Sequence, residues 1–252
     1  MLRTRVIPCL LLKDGGLVKG QQFKNHKYVG DPINTIKIFN DKEVDELMVL
    51  DISASRNAVA PDYTLLEQFA SECFMPLCYG GGIKTLEQAK KIFSLGVEKV
   101  CLQSSAIEDL NIIRQISNLF GSQSVVVSID IKSNFLNQKK LFHATKRKSL
   151  KLPWQNFIHD CVSAGAGEVL INSVDHEGSM SGVDLNLIQQ VSEMISVPVI
   201  ATGGVGSLKH IKAASDVGAS AVAVGSFFVY HGPHRAVLIT FPKYQELENL
   251  LR

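Results

Sequence analysis

Pro76-Leu77-Cys78-Tyr79-Gly80-Gly81-Gly82-Ile83-Lys84-Thr85-Leu86 returns in outline 122 positions later as Pro198-Val199-Ile200-Ala201-Thr202-Gly203-Gly204-Val205-Gly206-Ser207-Leu208. Working outward at the same offset, Gly96 meets Gly218 and Ser104 meets Ser226. Each copy reads as an apolar run, paired glycines, an amphipathic stretch ending at Gly, a second apolar run and a small polar residue. That order is strand, anion-binding turn, helix, strand, turn. The repeat unit is about half of the 252 residues, and two copies predict two phosphate sites.

Beyond the repeat, strand-like runs lie near 5–12, 46–51, 76–79, 98–103, 124–130, 168–173, 197–202 and 220–226. Helical periodicity fills most intervals, notably Leu65 to Cys73, Leu86 to Leu95, Leu110 to Leu119 and Leu185 to Ile195. Eight strands alternating with helices, a two-fold repeat and no linker predict an α/β protein, a closed (β/α)8 TIM barrel rather than an open doubly wound sheet. One domain over 1–252 is expected, with half-barrels of about 1–122 and 123–252. Two connections are long: the first βα loop, roughly Gly15 to Asp31, and a basic stretch after the fifth strand. Long connections in a compact domain are commonly lids or binding loops.

Bulk composition narrows the classes. The chain is 46% hydrophobic and 20% charged with a formal charge of +2, which gives no case for a nucleic-acid binder. Its apolar runs are too short to span a membrane, and no apolar leader opens it, so a cytoplasmic location is expected. The five cysteines, Cys9, Cys73, Cys78, Cys101 and Cys161, are unclustered and sit mostly inside apolar runs, as reduced core thiols do. Neither a metal nor a cofactor is expected. Charge is nonetheless uneven: residues 131–151 hold Lys132, Lys139, Lys140, Lys146, Arg147, Lys148 and Lys151 and no acid.

Chemistry in such barrels sits at the C-terminal strand ends. There, Gly81-Gly82 with Ser104-Ser105, and Gly203-Gly204 with Gly225-Ser226, can aim backbone N–H groups and a hydroxyl at a phosphate. Simple turn chemistry is the alternative for either pair alone. Asp130 ends the fifth strand, where alternation puts residues 126, 128 and 130 on one face, so its carboxylate is expected inside the barrel mouth. It is read as a general acid or base, or else as an anchor for the fifth loop. In the first half, Cys9-Leu10-Leu11-Leu12-Lys13 aligns with Ser128-Ile129-Asp130-Ile131-Lys132, so Asp130 faces Leu11 and the mouth has one carboxylate where symmetry offers two. Asp51, Gln103, Ser173, Asp175 and Glu177 also end strands, as mouth residues or loop caps. At the opposite end, Arg5, Glu46, Lys99 and Glu168 begin the first, second, fourth and sixth strands. If all four point inward they form a charged ring across the barrel floor, a gate or docking face; if not, they are surface salt bridges. No Ser-His-Asp order, nucleophile elbow or Cys-His pairing stands out, so glutamine hydrolysis by this chain is not expected.

Arg5-Val6-Ile7-Pro8-Cys9-Leu10, Lys13-Asp14-Gly15, Val18-Lys19-Gly20, Gly30-Asp31-Pro32, Leu50-Asp51-Ile52, Gly80-Gly81-Gly82-Ile83, Phe120-Gly121-Ser122-Gln123 and Gly203-Gly204 together resemble the cyclase subunit of imidazole glycerol phosphate synthase. The resemblance covers about residues 1 to 228. It implies a (β/α)8 barrel that takes ammonia from a separate glutaminase subunit docked on its floor. The ammonia passes through the barrel to phosphoribulosyl formimino aminoimidazole carboxamide ribotide, giving imidazole glycerol phosphate and aminoimidazole carboxamide ribotide. It also implies that Arg5, Glu46, Lys99 and Glu168 are the ammonia gate, that Lys19 belongs to a mobile first loop closing over substrate, and that Asp130 is one of two catalytic aspartates. Gln103, Ser104, Glu177 and Gly178 join the glycine turns as phosphate-binding positions. The second catalytic aspartate falls on Leu11, and Gln103, Asn172 and Glu177 are smaller departures from the family pattern.

Pro8-Cys9-Leu10-Leu11-Leu12-Lys13-Asp14, Tyr28-Val29-Gly30-Asp31-Pro32-Ile33-Asn34, Glu72-Cys73-Phe74-Met75-Pro76 and His231-Gly232-Pro233-His234-Arg235-Ala236-Val237-Leu238-Ile239 resemble a divergent branch of that family, second copies associated with bacterial surface-polysaccharide synthesis. That branch implies ammonia delivery to a third protein, an amidotransferase that forms an acetamidino sugar on a nucleotide sugar. The expectation is therefore an ammonia-channelling barrel partnered by a glutaminase. Its alternatives are a working cyclase of histidine biosynthesis and a non-catalytic scaffold or sugar-phosphate binder.

Overall fold

The computed structural model describes residues 3–251. Strand β1 (Arg5–Lys13) runs into a hairpin of β2 (Gly16–Gln21) and β3 (Lys24–Gly30), followed by α1 (Pro32–Asp41). Next come β4 (Leu47–Asp51), α2 (Tyr63–Glu72), β5 (Leu77–Gly80), α3 (Leu86–Ser94), β6 (Lys99–Leu102), α4 (Ser104–Glu108) and α5 (Asn111–Phe120). The second half runs β7 (Val125–Ser133), β8 (Lys139–His143), β9 (Lys148–Ser149), α6 (Trp154–Ser163), β10 (Glu168–Ser173), α7 (Leu185–Met194), β11 (Val199–Thr202), α8 (Leu208–Asp216), β12 (Ala221–Val224) and α9 (Ser226–Val229). A small ladder of β13 (Tyr230–His231) with β14 (Ala236–Val237) and a last helix, α10 (Tyr244–Leu251), complete the described chain.

β1, β4, β5, β6, β7, β10, β11 and β12 pair in parallel in that order, and β12 pairs with β1. The sheet thus closes on itself as an eight-stranded barrel with helices outside, the α/β TIM barrel expected.

The duplication is carried into the element boundaries. α1 and α6 start at 32 and 154, α2 and α7 at 63 and 185, β5 and β11 at 77 and 199, α3 and α8 at 86 and 208, and β6 and β12 at 99 and 221, all 122 apart. Local chemistry explains the shared starts. Thr85 caps α3 by accepting from the Gln88 N–H, with Gln88 returning the bond in a capping box, and Ser207 caps α8 by accepting from His210. Asp62 and Asp184 cap α2 and α7 in the same way.

Strand alternation divides the core into two layers. Val6, Leu10 and Leu12 face the helices, while Ile7 and Cys9 join Met48, Cys78, Cys101, Val126, Leu170, Ile200, Ala221 and Ala223 in the barrel lumen. All five cysteines are free thiols. No helix among the described residues is long and apolar enough to cross a membrane.

Both long connections differ from open loops. Residues 16–30 extend β1 as an antiparallel hairpin, with Leu11 opposite Val18, and the basic stretch folds back on β7 through β8 and β9. The reason is the same in each: β1 and β7 run past the barrel rim to Lys13 and Ser133, and their free backbone groups there are satisfied by an added antiparallel strand.

Candidate functional site

A cavity of about 200 Å³ opens at the C-terminal ends of the barrel strands. Lys19, Leu11, Asp130, Gln103, Ser104, Glu177, Gly178 and the glycines Gly81, Gly82, Gly203, Gly204 and Gly225 with Ser226 all line it. Of the residues singled out at strand ends, Asp51, Gln103, Asp130 and Glu177 are brought together around this space, while Ser173 and Asp175 do not line it.

The paired glycines are required by close backbone approach. A Cβ on Gly81 would strike the Asp51 carbonyl oxygen, and one on Gly203 would lie 2.7 Å from that of Ser173. Gly82 and Gly204 would each place theirs 3.0 Å from the Cβ of Ala54 and His176 respectively. These partners are again 122 apart, so the two turns are built by the same packing. All four glycines have positive φ, a conformation that glycine, lacking a Cβ, adopts without steric cost. At the first turn the Gly82 N–H donates to Ser55 Oγ at 3.0 Å, and Ser104 Oγ lies 2.8 Å from Thr145 Oγ1. Ser55 and Thr145 were not legible as site residues; each arrives on a loop whose path only the folded barrel defines.

Asp130 is buried, at 4% exposure, between two amides: Gln103 Nε2 donates to one carboxyl oxygen and Asn172 Nδ2 to the other at 2.9 Å. Burial pushes its carboxyl up to about 7, against the lowering effect of the two amides. Strand register tests which residue is its counterpart. Asp130 is opposite Asn172 and Leu11 is opposite Leu50, while Cys101 is opposite Val126 and Ala223 opposite Ile7. Since 50 and 172, and 101 and 223, are each 122 apart, Leu11 occupies the place of Asp130 in the first half. The first half does not repeat the two amides either: Asn172 corresponds to Leu50 and Gln103 to Gly225. One side of the mouth is a carboxyl held by two amides, and the other is apolar.

Lys19 on β2 reaches into that apolar side. It is buried, donates to the Cys9 carbonyl oxygen at 2.5 Å and lies against Gly225, where a Cβ would collide with its Nζ. Burial lowers the pKa of its ammonium, with Glu177 opposing. The hairpin turn is tied down beside it. The Phe23 N–H donates to Glu177 Oε2 at 3.3 Å, the Gln22 N–H to the Glu177 carbonyl at 3.1 Å, and Gln21 Nε2 to the Gly178 carbonyl at 3.3 Å. Glu177 and Gly178 thus line the cavity and also anchor the hairpin. Asp51 accepts from Ser53 and Ala54 within its own turn, and Asp175 accepts from the Ser133 N–H at 2.8 Å, so both act as loop caps.

At the floor the four charges meet. Arg5 bonds Glu46 and, at 2.7 Å, Glu168; Lys99 Nζ bonds Glu46 at 2.9 Å and Glu168 at 3.2 Å. Cations and anions alternate around a closed ring rather than forming separate surface pairs. Glu46 is only 2% exposed and its Oε1 has no partner.

A family model described as histidine biosynthesis protein matches residues 5–234. A protein of Pseudomonas aeruginosa provisionally named imidazole glycerol phosphate synthase subunit hisF2 is 52% identical over 252 residues, covering 98% of this chain and 99% of that protein. A similarly named subunit of Leptospira interrogans is 46% identical, covering 99% of each chain. The imidazole glycerol phosphate synthase subunit HisF of Exiguobacterium sibiricum is 41% identical over 232 residues, covering 90% of this chain and 91% of that protein. With this fold, this pair of glycine turns and these matches, the chain belongs to the HisF family of histidine biosynthesis proteins.

Proposed function

We propose that this chain is an ammonia-channelling member of the family: it receives ammonia from a glutaminase subunit docked at the floor and serves an amidotransferase acting on a sugar nucleotide. The observation that carries this reading is the contrast between the two ends of the barrel. The floor has a complete ring of Arg5, Glu46, Lys99 and Glu168, while the mouth has Leu11 where the family resemblance implies a second catalytic aspartate. Leucine neither gives nor takes a proton, and an absent general acid or base costs on the order of a hundredfold to ten-thousandfold in rate. Passage of ammonia requires no such group.

A second reading, retained cyclisation, is favoured by Asp130 itself. Its carboxyl near 7 is matched to proton transfer at neutral pH, and the depressed ammonium of Lys19 on the far side offers a second titrating group. In either case the two glycine turns would hold the two phosphates of an elongated ligand across the mouth.

The test is to incubate the chain with phosphoribulosyl formimino aminoimidazole carboxamide ribotide and an ammonium salt at alkaline pH and to assay imidazole glycerol phosphate. Absence of product from a chain that still stimulates a glutaminase supports the channelling reading; turnover at a rate typical of enzymes overturns it. Leu11→Asp restores the missing carboxylate and is expected to raise cyclisation at least tenfold over the unsubstituted chain; no change would show that other departures matter more.

A further inference from the structure

β7 and β8 pair beyond the barrel rim, and the turn between them is Asn134-Phe135-Leu136-Asn137-Gln138. Asn134 fixes that turn. Its Oδ1 accepts from the Leu136 and Gln138 N–H groups, both at 2.9 Å, and its backbone exchanges bonds with the Gln138 carbonyl and the Asn137 N–H, both at 3.0 Å. Asn137 takes the positive φ that the turn requires. With the backbone held in this way, Phe135 and Leu136 stand 93% and 63% exposed. An ordered turn that displays a phenylalanine has already lost the freedom that binding would otherwise cost.

The first half carries a related hairpin with the opposite surface. At the offset of 122, Phe135, Leu136, Asn137 and Gln138 correspond to Lys13, Asp14, Gly15 and Gly16, which close the turn between β1 and β2. That tip is charged, with Lys13 lying 3.9 Å from Asp14. A turn at this place therefore does not need apolar residues in order to fold, and solvation favours the charged ones.

The flank of the apolar tip is cationic. Residues 131–151 hold seven cations and no acid. Lys139 pairs with Asp184 at 2.7 Å, Lys146 pairs with Glu108 at 3.1 Å, and Lys132 Nζ lies 5.2 Å over the Phe142 ring. Lys140, Lys148 and Lys151 make no ion pair among the described residues. The hairpin also borders the mouth: Ala144 and Thr145 line the cavity. It meets the β2–β3 hairpin there, with the Phe142 and Phe23 rings 6.1 Å apart and Arg147 donating to the Phe23 carbonyl at 3.3 Å.

We propose that this hairpin docks the protein that takes ammonia from the mouth, with Phe135 and Leu136 seated in an apolar pocket of that partner and Lys140, Lys148 and Lys151 facing carboxylates around it. Three properties select this occupant. Three cations without counter-charges call for an acidic surface, and two apolar side chains on a rigid tip call for a pocket. A place beside the cavity calls for a partner that covers the mouth, as transfer of ammonia without loss to solvent requires. An anionic bilayer would match the charges, but seating it on the tip would bury the side-chain amides of Asn134, Asn137 and Gln138 in lipid. The inference rests on the channelling reading of the proposed function and deepens it by naming the surface that the amidotransferase engages.

Sedimentation velocity tests it, using the full chain in complex with its glutaminase and a purified amidotransferase that forms an acetamidino group on a nucleotide sugar. One amidotransferase per chain is expected to bind, at least tenfold more weakly at about 0.5 M salt than at about 0.05 M. Phe135→Lys with Leu136→Asp installs the first half's residues at exposed positions. It should weaken that binding at least tenfold and lower glutamine-dependent transfer to the nucleotide sugar, while stimulation of the glutaminase stays unchanged. Lys140→Glu with Lys148→Glu should weaken binding and flatten its salt dependence. Undiminished affinity and transfer in the tip variant overturn the inference alone. So does association through the tip with phosphatidylglycerol vesicles, or with a second copy of the chain, in place of the amidotransferase. An amidotransferase that neither binds the unsubstituted chain nor receives ammonia from it would remove the channelling reading beneath.

Discussion

At the scale of single residues, Asp130 shows how far alternation alone carries a reading. Its place on the inward face of the fifth barrel strand followed from residues 126, 128 and 130, and the alignment with Leu11 followed from the repeat. The amides of Gln103 and Asn172 that grip it come from neighbouring strands, and cross-strand pairs are invisible before the register is known. The folded protein holds a proton on Asp130 up to about pH 7, whereas an unfolded aspartate releases it near 4. Its contribution to stability is therefore greatest below about pH 4 and is lost as the pH rises towards 7, by up to about 4 kcal/mol at roughly 1.4 kcal/mol per unit. Asp130→Asn mimics the protonated state and should lack this dependence. Urea unfolding of both proteins at several pH values should show the wild type losing ground to the variant between pH 4 and 7 and holding steady above it. Parallel curves would mean that the carboxyl is ionised throughout.

At the scale of elements, the β2–β3 hairpin was legible as a long connection over the mouth but not as strands. Leu17, Val18 and Lys19 are consecutive and all buried, because the hairpin packs on both faces, so the period of two that marks a half-exposed strand is absent. The basic stretch escaped for a related reason: its hairpin is held by extended ends of β7, and nothing local announces where a strand will outrun its barrel. The hairpin's position sets where Lys19 enters the mouth, and its turn is fastened beside that point. Glu177 supplies both its side chain and its carbonyl to Gln22 and Phe23. Glu177→Ala removes the side-chain bond, worth about 1.5 to 3 kcal/mol for a charged acceptor. The amide of Phe23 should then exchange with solvent about tenfold faster or more, while amides of β5 and β11 keep their rates. Unchanged exchange at Phe23 would show that backbone contacts alone hold the turn.

At the scale of the whole molecule, the floor ring draws one residue from each of four separate barrel segments, and closure of the sheet is what brings them within 2.7 to 3.2 Å of one another. Breaking such a buried network leaves charge without a partner, so Lys99→Ala should lower the unfolding free energy by about 3 kcal/mol. In the glutaminase complex the same variant should alter glutamine-dependent activity and leave activity with free ammonium intact; equal changes in both would remove the gate from the account. The amino-acid sequence by itself determined the barrel, because eight apolar strands alternating with helices and a duplicated half leave one economical way to close the sheet. It also determined the paired glycine turns, because only glycine permits the backbone approach that both copies require. Tertiary structure alone decided the closed charge ring, the amide grip on Asp130 and the fastening of Lys19. Each of these joins side chains far apart in the chain across strands and loops, and such contacts depend on register and loop path rather than on any local period.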